Sequence, residues 1–134
     1  RNPDNPFYKL PAQLNPAGAA WVDRGLGATV NKPSEDGKFK VPTLRNIELT
    51  APYMHNGYFK SLRGTVVFYN DRDKKPRCSQ NLVTEEAALK QKCWPAPEVN
   101  ANINDEELGN LGLTEREIDD IVAFMKTLND GWQQ

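Results

Sequence analysis

Apolar positions along the 134-residue chain become periodic in only two places. Toward the C-terminus, Ile118, Ile121, Val122, Met125 and Leu128 recur at helical spacing and predict one apolar face of a helix over 114–128. Thr114-Glu115-Arg116-Glu117 stands in front of them as a capping box, in which the Thr hydroxyl and the Glu117 carboxylate satisfy backbone N–H groups reciprocally. Asn129-Asp130-Gly131 supplies the stop, with Gly131 suited to a left-handed cap. The second periodic run opens at Ser61, with Leu62, Val66 and Tyr69 on one stripe and Thr65 and Phe68 beside it.

Weaker signals fill in the rest. Glu85 to Lys92 is rich in helix formers. Leu44, Ile47 and Leu49 predict a short helix that Pro52 stops. Asn15 as N-cap and Pro16 at the first helical position predict another, running through Val22 to a stop near Gly25 or Gly27. Residues 1–13, with Pro3, Pro6 and Pro11, read as an extended arm, and 28–41 and most of 70–110 as loop. Alternating strand patterns are nearly absent. The pattern predicts a mainly α, single domain over 1–134 with short helices and long Pro-rich connections.

Composition narrows the chemistry. Lys plus Arg number 17 against 18 Asp plus Glu, so no basic surplus exists to neutralise nucleic acid or an anionic membrane. No apolar run approaches the roughly 18 residues of a membrane span. One histidine and two cysteines exclude a zinc cluster or a multi-His metal site within the chain, and neither cysteine stands in the C-x-x-C-H box of covalent heme attachment. Cys78 and Cys93 are expected to form a disulfide, whose loop would constrain the unfolded chain by roughly 3 kcal/mol. The alternative is two unrelated thiols. A bridge implies an oxidising compartment. The chain opens on Arg1-Asn-Pro-Asp with neither an initiator Met nor a leader pattern, which points to a processed or excised segment.

Three segments together resemble the C-terminal heme domain of the bacterial di-heme cytochrome c peroxidase and MauG family. They are Phe39-Lys-Val-Pro-Thr-Leu-Arg-Asn-Ile-Glu-Leu-Thr-Ala-Pro-Tyr-Met-His-Asn-Gly57, Ser61-Leu-Arg-Gly-Thr-Val-Val-Phe-Tyr-Asn70, and the end helix from Leu113 to Leu128. Val22-Asp-Arg-Gly-Leu-Gly27 resembles the stretch that follows heme attachment in MauG-like members. The resemblance implies a cytochrome c-like fold and a heme c attached through a segment that these residues do not include. It also implies a heme-bearing N-terminal portion or companion chain, a redox partner protein and a periplasmic setting. The chain then reads as the later part of a heme domain, inactive as a peroxidase when isolated. The whole protein would couple electron transfer to peroxide reduction or to oxidation of a partner. A heme-free interaction or assembly module that keeps the fold is the alternative, and a chain nicked from a longer cytochrome is a third.

The same resemblance nominates residues. The family's distal ligand to the C-terminal heme lies fourteen residues after the His of Tyr-x-His-x-Gly, with Met there in peroxidases and Tyr in MauG; counting from His55 reaches Tyr69. A phenolate favours oxidised iron and a thioether reduced iron. Met54 is the rival ligand, although peroxidase members carry Phe at its position, which suggests packing. His55 and Arg45 are candidates for contact with heme propionates, since a guanidinium fork matches a carboxylate. Thr50 and Pro52 match positions whose backbone carbonyls help bind calcium between the family's two domains, a hard-oxygen site that another segment would have to complete. Trp94, Trp132 and Tyr58 stand as relay candidates that spacing does not separate from ordinary packing.

Overall fold

The structure, a computed structural model, describes residues 2–131. Its helices are α1 (Leu26–Val30), α2 (Leu62–Asp71), α3 (Glu85–Gln91) and α4 (Glu115–Lys126). Short 3-10 turns lie at Pro6–Lys9, Gly18–Ala20, Pro33–Glu35 and Ile47–Leu49. Among the described residues, extended backbone pairs only as isolated bridges. No helix among them is long and apolar enough to cross a membrane.

The two periodic runs become the two longest helices, and their caps explain where they begin. Both bonds of the Thr114–Glu117 capping box form at the start of α4. Ser61 caps α2 by accepting from the Gly64 N–H at 3.0 Å. Glu85 strengthens that end from a distance in sequence, its carboxylate accepting from the Lys60 N–H at 2.6 Å and from the Ser61 hydroxyl at 3.3 Å. An anion there also meets the positive end of the helix dipole. The arrangement requires glycine at 64, because a Cβ would fall 1.6 Å from the Glu85 carboxylate.

α2 packs on α4, and Arg63 ties them together by bonding both Glu115 and Asp119. Trp94 and Ile118 are fully buried at the centre, with Phe59, Leu62, Val66 and Val67 around them. Cys78 and Cys93 are joined as a disulfide, with Cα atoms 5.0 Å apart. Breaking it in a Cys78→Ser, Cys93→Ser variant is expected to cost about 3 kcal/mol of unfolding free energy by loop entropy. Urea denaturation with and without reductant checks this, and coincident midpoints would remove the bridge from the stability account.

Several expectations need correction. The arm is folded: Asn5 accepts from the Phe7 N–H, starting the Pro6–Lys9 turn, and Phe7 stacks on Trp21 with centroids 4.8 Å apart. The helix expected from Asn15 shrinks to the Gly18–Ala20 turn. Gly18 there has φ +50°, and the buried Asn15 amide donates instead to the Phe7 and Gly18 carbonyls. α1 starts at Leu26, where the earlier helix was expected to stop. Gly25 precedes it with φ +56°, and a Cβ on it would sit 2.4 Å from the Lys38 carbonyl. At the other end, α4 finishes at Lys126 with Thr127 as its cap. Gly131 is left-handed (φ +74°) but lies beyond the cap, because Asn46 draws the chain away by bonding Leu128 and Asp130.

Candidate functional site

A cavity of about 300 Å³ opens beside α2. Phe68, Tyr69 and Arg72 of α2 form one wall, Met54 and His55 a second, and the irregular residues 95–104 a third, with Phe39 at its edge. Its surroundings are largely aromatic and aliphatic, the character of a site for a flat apolar ligand with a few oriented polar groups.

The 53–59 loop that presents Met54 and His55 is tightly held. The Tyr53 N–H donates to the Phe59 carbonyl at 2.7 Å, and the Gly57 N–H to the Met54 carbonyl at 3.1 Å. Asn56 accepts from the Tyr58 N–H through its side chain, while its carbonyl receives the Asn2 amide at 2.7 Å. Tyr53 and Phe59 are buried, so the base of the loop is part of the core. Its tip carries Met54 at φ +67°, a left-handed backbone seldom adopted by a residue with a long side chain.

That geometry brings the two nominated donors together. The Tyr69 hydroxyl donates to the Met54 Sδ at 3.6 Å. Burial pushes the Tyr69 phenol above its ordinary pKa, and the Arg72 charge nearby pulls it the other way. His55 lies flat against Phe39, ring centroids 3.7 Å apart and 11° from parallel. Partial burial lowers the His55 pKa from its ordinary value against the opposing pull of Asp23 and Glu98. Its ring nitrogens can hydrogen-bond an anionic group.

Arg72 was not legible as a site residue. Its side chain, only 10% exposed, grips Asp73 through two bonds and also donates to the Asn104 and Leu108 carbonyls. The Gly109 N–H in turn donates to the Tyr69 carbonyl at 2.7 Å. The C-terminal side of the third wall is thereby fastened to the helix that carries Tyr69. Its only sequence signal was the three-residue offset from Tyr69, which puts both on one helix face.

Other nominated residues fall elsewhere. Arg45 does not line the cavity; its guanidinium binds Asp130 at 2.9 and 3.1 Å, with its side chain 71% exposed. Thr50 and Pro52 are exposed and also off the cavity lining, the Thr50 hydroxyl donating to the Ile47 carbonyl. No group of three or more His, Cys, Asp or Glu among the described residues is arranged to hold a metal ion. Trp94 is a core residue, and Tyr58 is buried beside the cavity with its phenol pushed up to about 12, first by burial and then by Glu85. Trp132 lies outside the described residues.

The methylamine utilization protein MauG of Paracoccus denitrificans (strain Pd 1222) is 38% identical over 129 residues, covering 93% of this chain. The cytochrome-c peroxidase IdrP1 of Denitromonas iodatirespirans is 33% identical over 107 residues, covering 80% of it. The chain is homologous to MauG and to the cytochrome-c peroxidases. It spans 32% of that MauG and 22% of that peroxidase, about a third of the length or less. The fold agrees. A crystal structure of a MauG-like protein associated with microbial copper homeostasis superposes with a TM-score of 0.60 at 29% identity, over 81% of this chain and 27% of that one. No family model matches the sequence.

The residues present fit one side of a heme. The cavity is at the lower end of the roughly 300–1,000 Å³ of small-molecule sites, enough for part of a macrocycle with the remainder covered by other segments. Phe39, Phe59 and Phe68 line the cavity as apolar surface, Tyr69 and Met54 bring an oxygen and a sulfur of the kind that can hold iron, and His55 and Arg77 stand in the lining as polar groups able to meet a carboxylate.

Proposed function

We propose that the chain is the later part of a cytochrome c-like heme domain and builds the distal wall of its heme pocket, with Tyr69 as the axial ligand. The observation that carries this is the Tyr69 hydroxyl inside an apolar-lined cavity, 3.6 Å from the Met54 sulfur, on a chain homologous to MauG. A bound heme would supply one-electron redox chemistry, in a periplasmic protein that reduces peroxide or oxidises a partner protein. Heme c would be attached by a C-x-x-C-H segment outside these residues, in an N-terminal portion or companion chain.

The chain's own residues then have separable tasks. Tyr69 would hold the iron as phenolate once its phenolic proton is lost, a hard donor that would favour oxidised iron relative to a thioether. Phe39, Phe59 and Phe68 exclude water from the macrocycle. His55 would offer a hydrogen bond to a propionate. Calcium would be held by the Thr50 and Pro52 carbonyls together with oxygens of the partner segment.

In the heme-loaded protein, Tyr69→Phe is expected to abolish the phenolate-to-iron absorption of the oxidised state and to raise the midpoint potential. An oxidised spectrum unaffected by the substitution would reject Tyr69 as the ligand.

A further inference from the structure

Tyr69 and Met54 entered as rivals, yet the structure sets them side by side on one wall of the cavity, joined by an O–H···S hydrogen bond of 3.6 Å. Resting on the heme reading above, we propose that they form a two-donor set, in which one-electron reduction of the iron passes the axial position from the Tyr69 oxygen to the Met54 sulfur.

Three observations support the exchange. The first is proximity: the two donor atoms lie 3.6 Å apart, so small side-chain rotations can exchange their places at one wall of the cavity. Methionine has three rotatable bonds and a polarizable sulfur, which suits that movement. The second is backbone strain. Met54 is held at φ +67°, a sparsely populated conformation of the kind that collects at ligand clamps. The bonded loop around it maintains that conformation, and Met54 lines the cavity. The third is the scarcity of alternatives. The described cavity lining contains no Cys or Lys, and the His55 ring is stacked on Phe39.

The chemistry of the two donors gives the exchange its direction. Phenolate is a hard anion matched to ferric iron, and thioether a soft neutral donor matched to ferrous iron. An external one-electron donor reduces the iron, the iron–oxygen bond breaks, and the iron–sulfur bond forms. The departing phenolate takes one proton from solvent at the cavity mouth. Oxidation reverses each change.

The test is optical and magnetic circular dichroism spectroscopy of the heme-loaded protein, oxidised and dithionite-reduced, for wild type, Met54→Leu and Tyr69→Phe. The expected wild type is phenolate-ligated when oxidised and low-spin with a thioether ligand when reduced. Met54→Leu should keep the oxidised spectrum, which also reports an intact fold, and become five-coordinate and high-spin on reduction. Tyr69→Phe, which leaves Met54 untouched, should acquire the sulfur-to-iron charge-transfer band in the oxidised state. Reduced Met54→Leu identical to reduced wild type would overturn the exchange, as would an oxidised Tyr69→Phe without that band. Absence of phenolate ligation in oxidised wild type would instead overturn the heme reading on which it rests.

Discussion

Trp94→Ala is expected to lower the unfolding free energy by about 3–5 kcal/mol, the range for deleting a large buried aromatic. Trp94 has no exposed surface, and Phe68 and Phe59 pack edgewise on it at 5.2 and 6.0 Å. Its indole N–H donates to Asp71 at 2.7 Å, and the Lys75 ammonium lies 5.0 Å from its ring centre. Its backbone is bonded to Pro76 and Cys78, so the side chain sits where the disulfide loop meets α2. A domain of this size has about 5–15 kcal/mol in total, so the substitution removes a large share. Trp94→Phe should cost less, since it keeps most of the apolar volume and loses mainly the hydrogen bond to Asp71. Urea denaturation of the two variants checks the ranking, and a loss below about 1 kcal/mol for Trp94→Ala would contradict this account of the core.

Arg72→Ala is expected to cost about 3 kcal/mol, at the low end for removing one member of a buried ion pair, because its partner Asp73 retains contact with water. The substitution leaves the Asn104 and Leu108 carbonyls without this donor and removes the cation packed 5.9 Å from the Phe68 ring centre. Lys at this position should rescue only part of the loss, since an ammonium cannot reproduce the two-pronged bond to Asp73 while reaching both carbonyls. Hydrogen exchange locates the damage. The Gly109 amide, bonded to the Tyr69 carbonyl, should lose protection in Arg72→Ala beyond the global loss. Uniform loss of protection across α2 and α4 would show that Arg72 acts on the whole core and not on the cavity wall.

The two best helices were readable because their signals are local. Thr114 and Glu117, or Ser61 ahead of Leu62, act within one turn, and the apolar stripe behind them does not depend on distant partners. α1 was unreadable for the opposite reason. Leu-Gly-Ala-Thr-Val has weak helix propensity, and its start depends on Gly25 approaching Lys38. The folded arm depends on the side-chain bonds of Asn5 and Asn15, residues that in sequence are indistinguishable from loop polarity.

The site divides along the same line. Tyr69, Met54 and His55 were nominated through the family resemblance, and the structure places all three along one cavity. Their arrangement as a bonded pair beside a stacked ring could not be read, because it depends on how the 53–59 loop closes on the core. Arg45 was nominated through the same resemblance, yet it lies with Asp130 off that cavity. Arg72 was hidden within Asp71-Arg-Asp-Lys-Lys75, a run that reads as solvated charge until its burial is known.

The cavity walls also differ in how freely they can change over evolution. α2 and the 53–59 loop share residues with the core, so substitutions there are constrained by packing as well as by the ligand. Residues 95–104 lie between Trp94 and the Arg72 anchorage and carry no helix or strand. Apart from Glu98 and Asn102, which bond Asp23, Ser34 and Asp36, their sequence can drift, and the rim with it, while Tyr69 and Met54 stay fixed by the core. Relatives sharing these two walls could therefore diverge in what approaches the cavity.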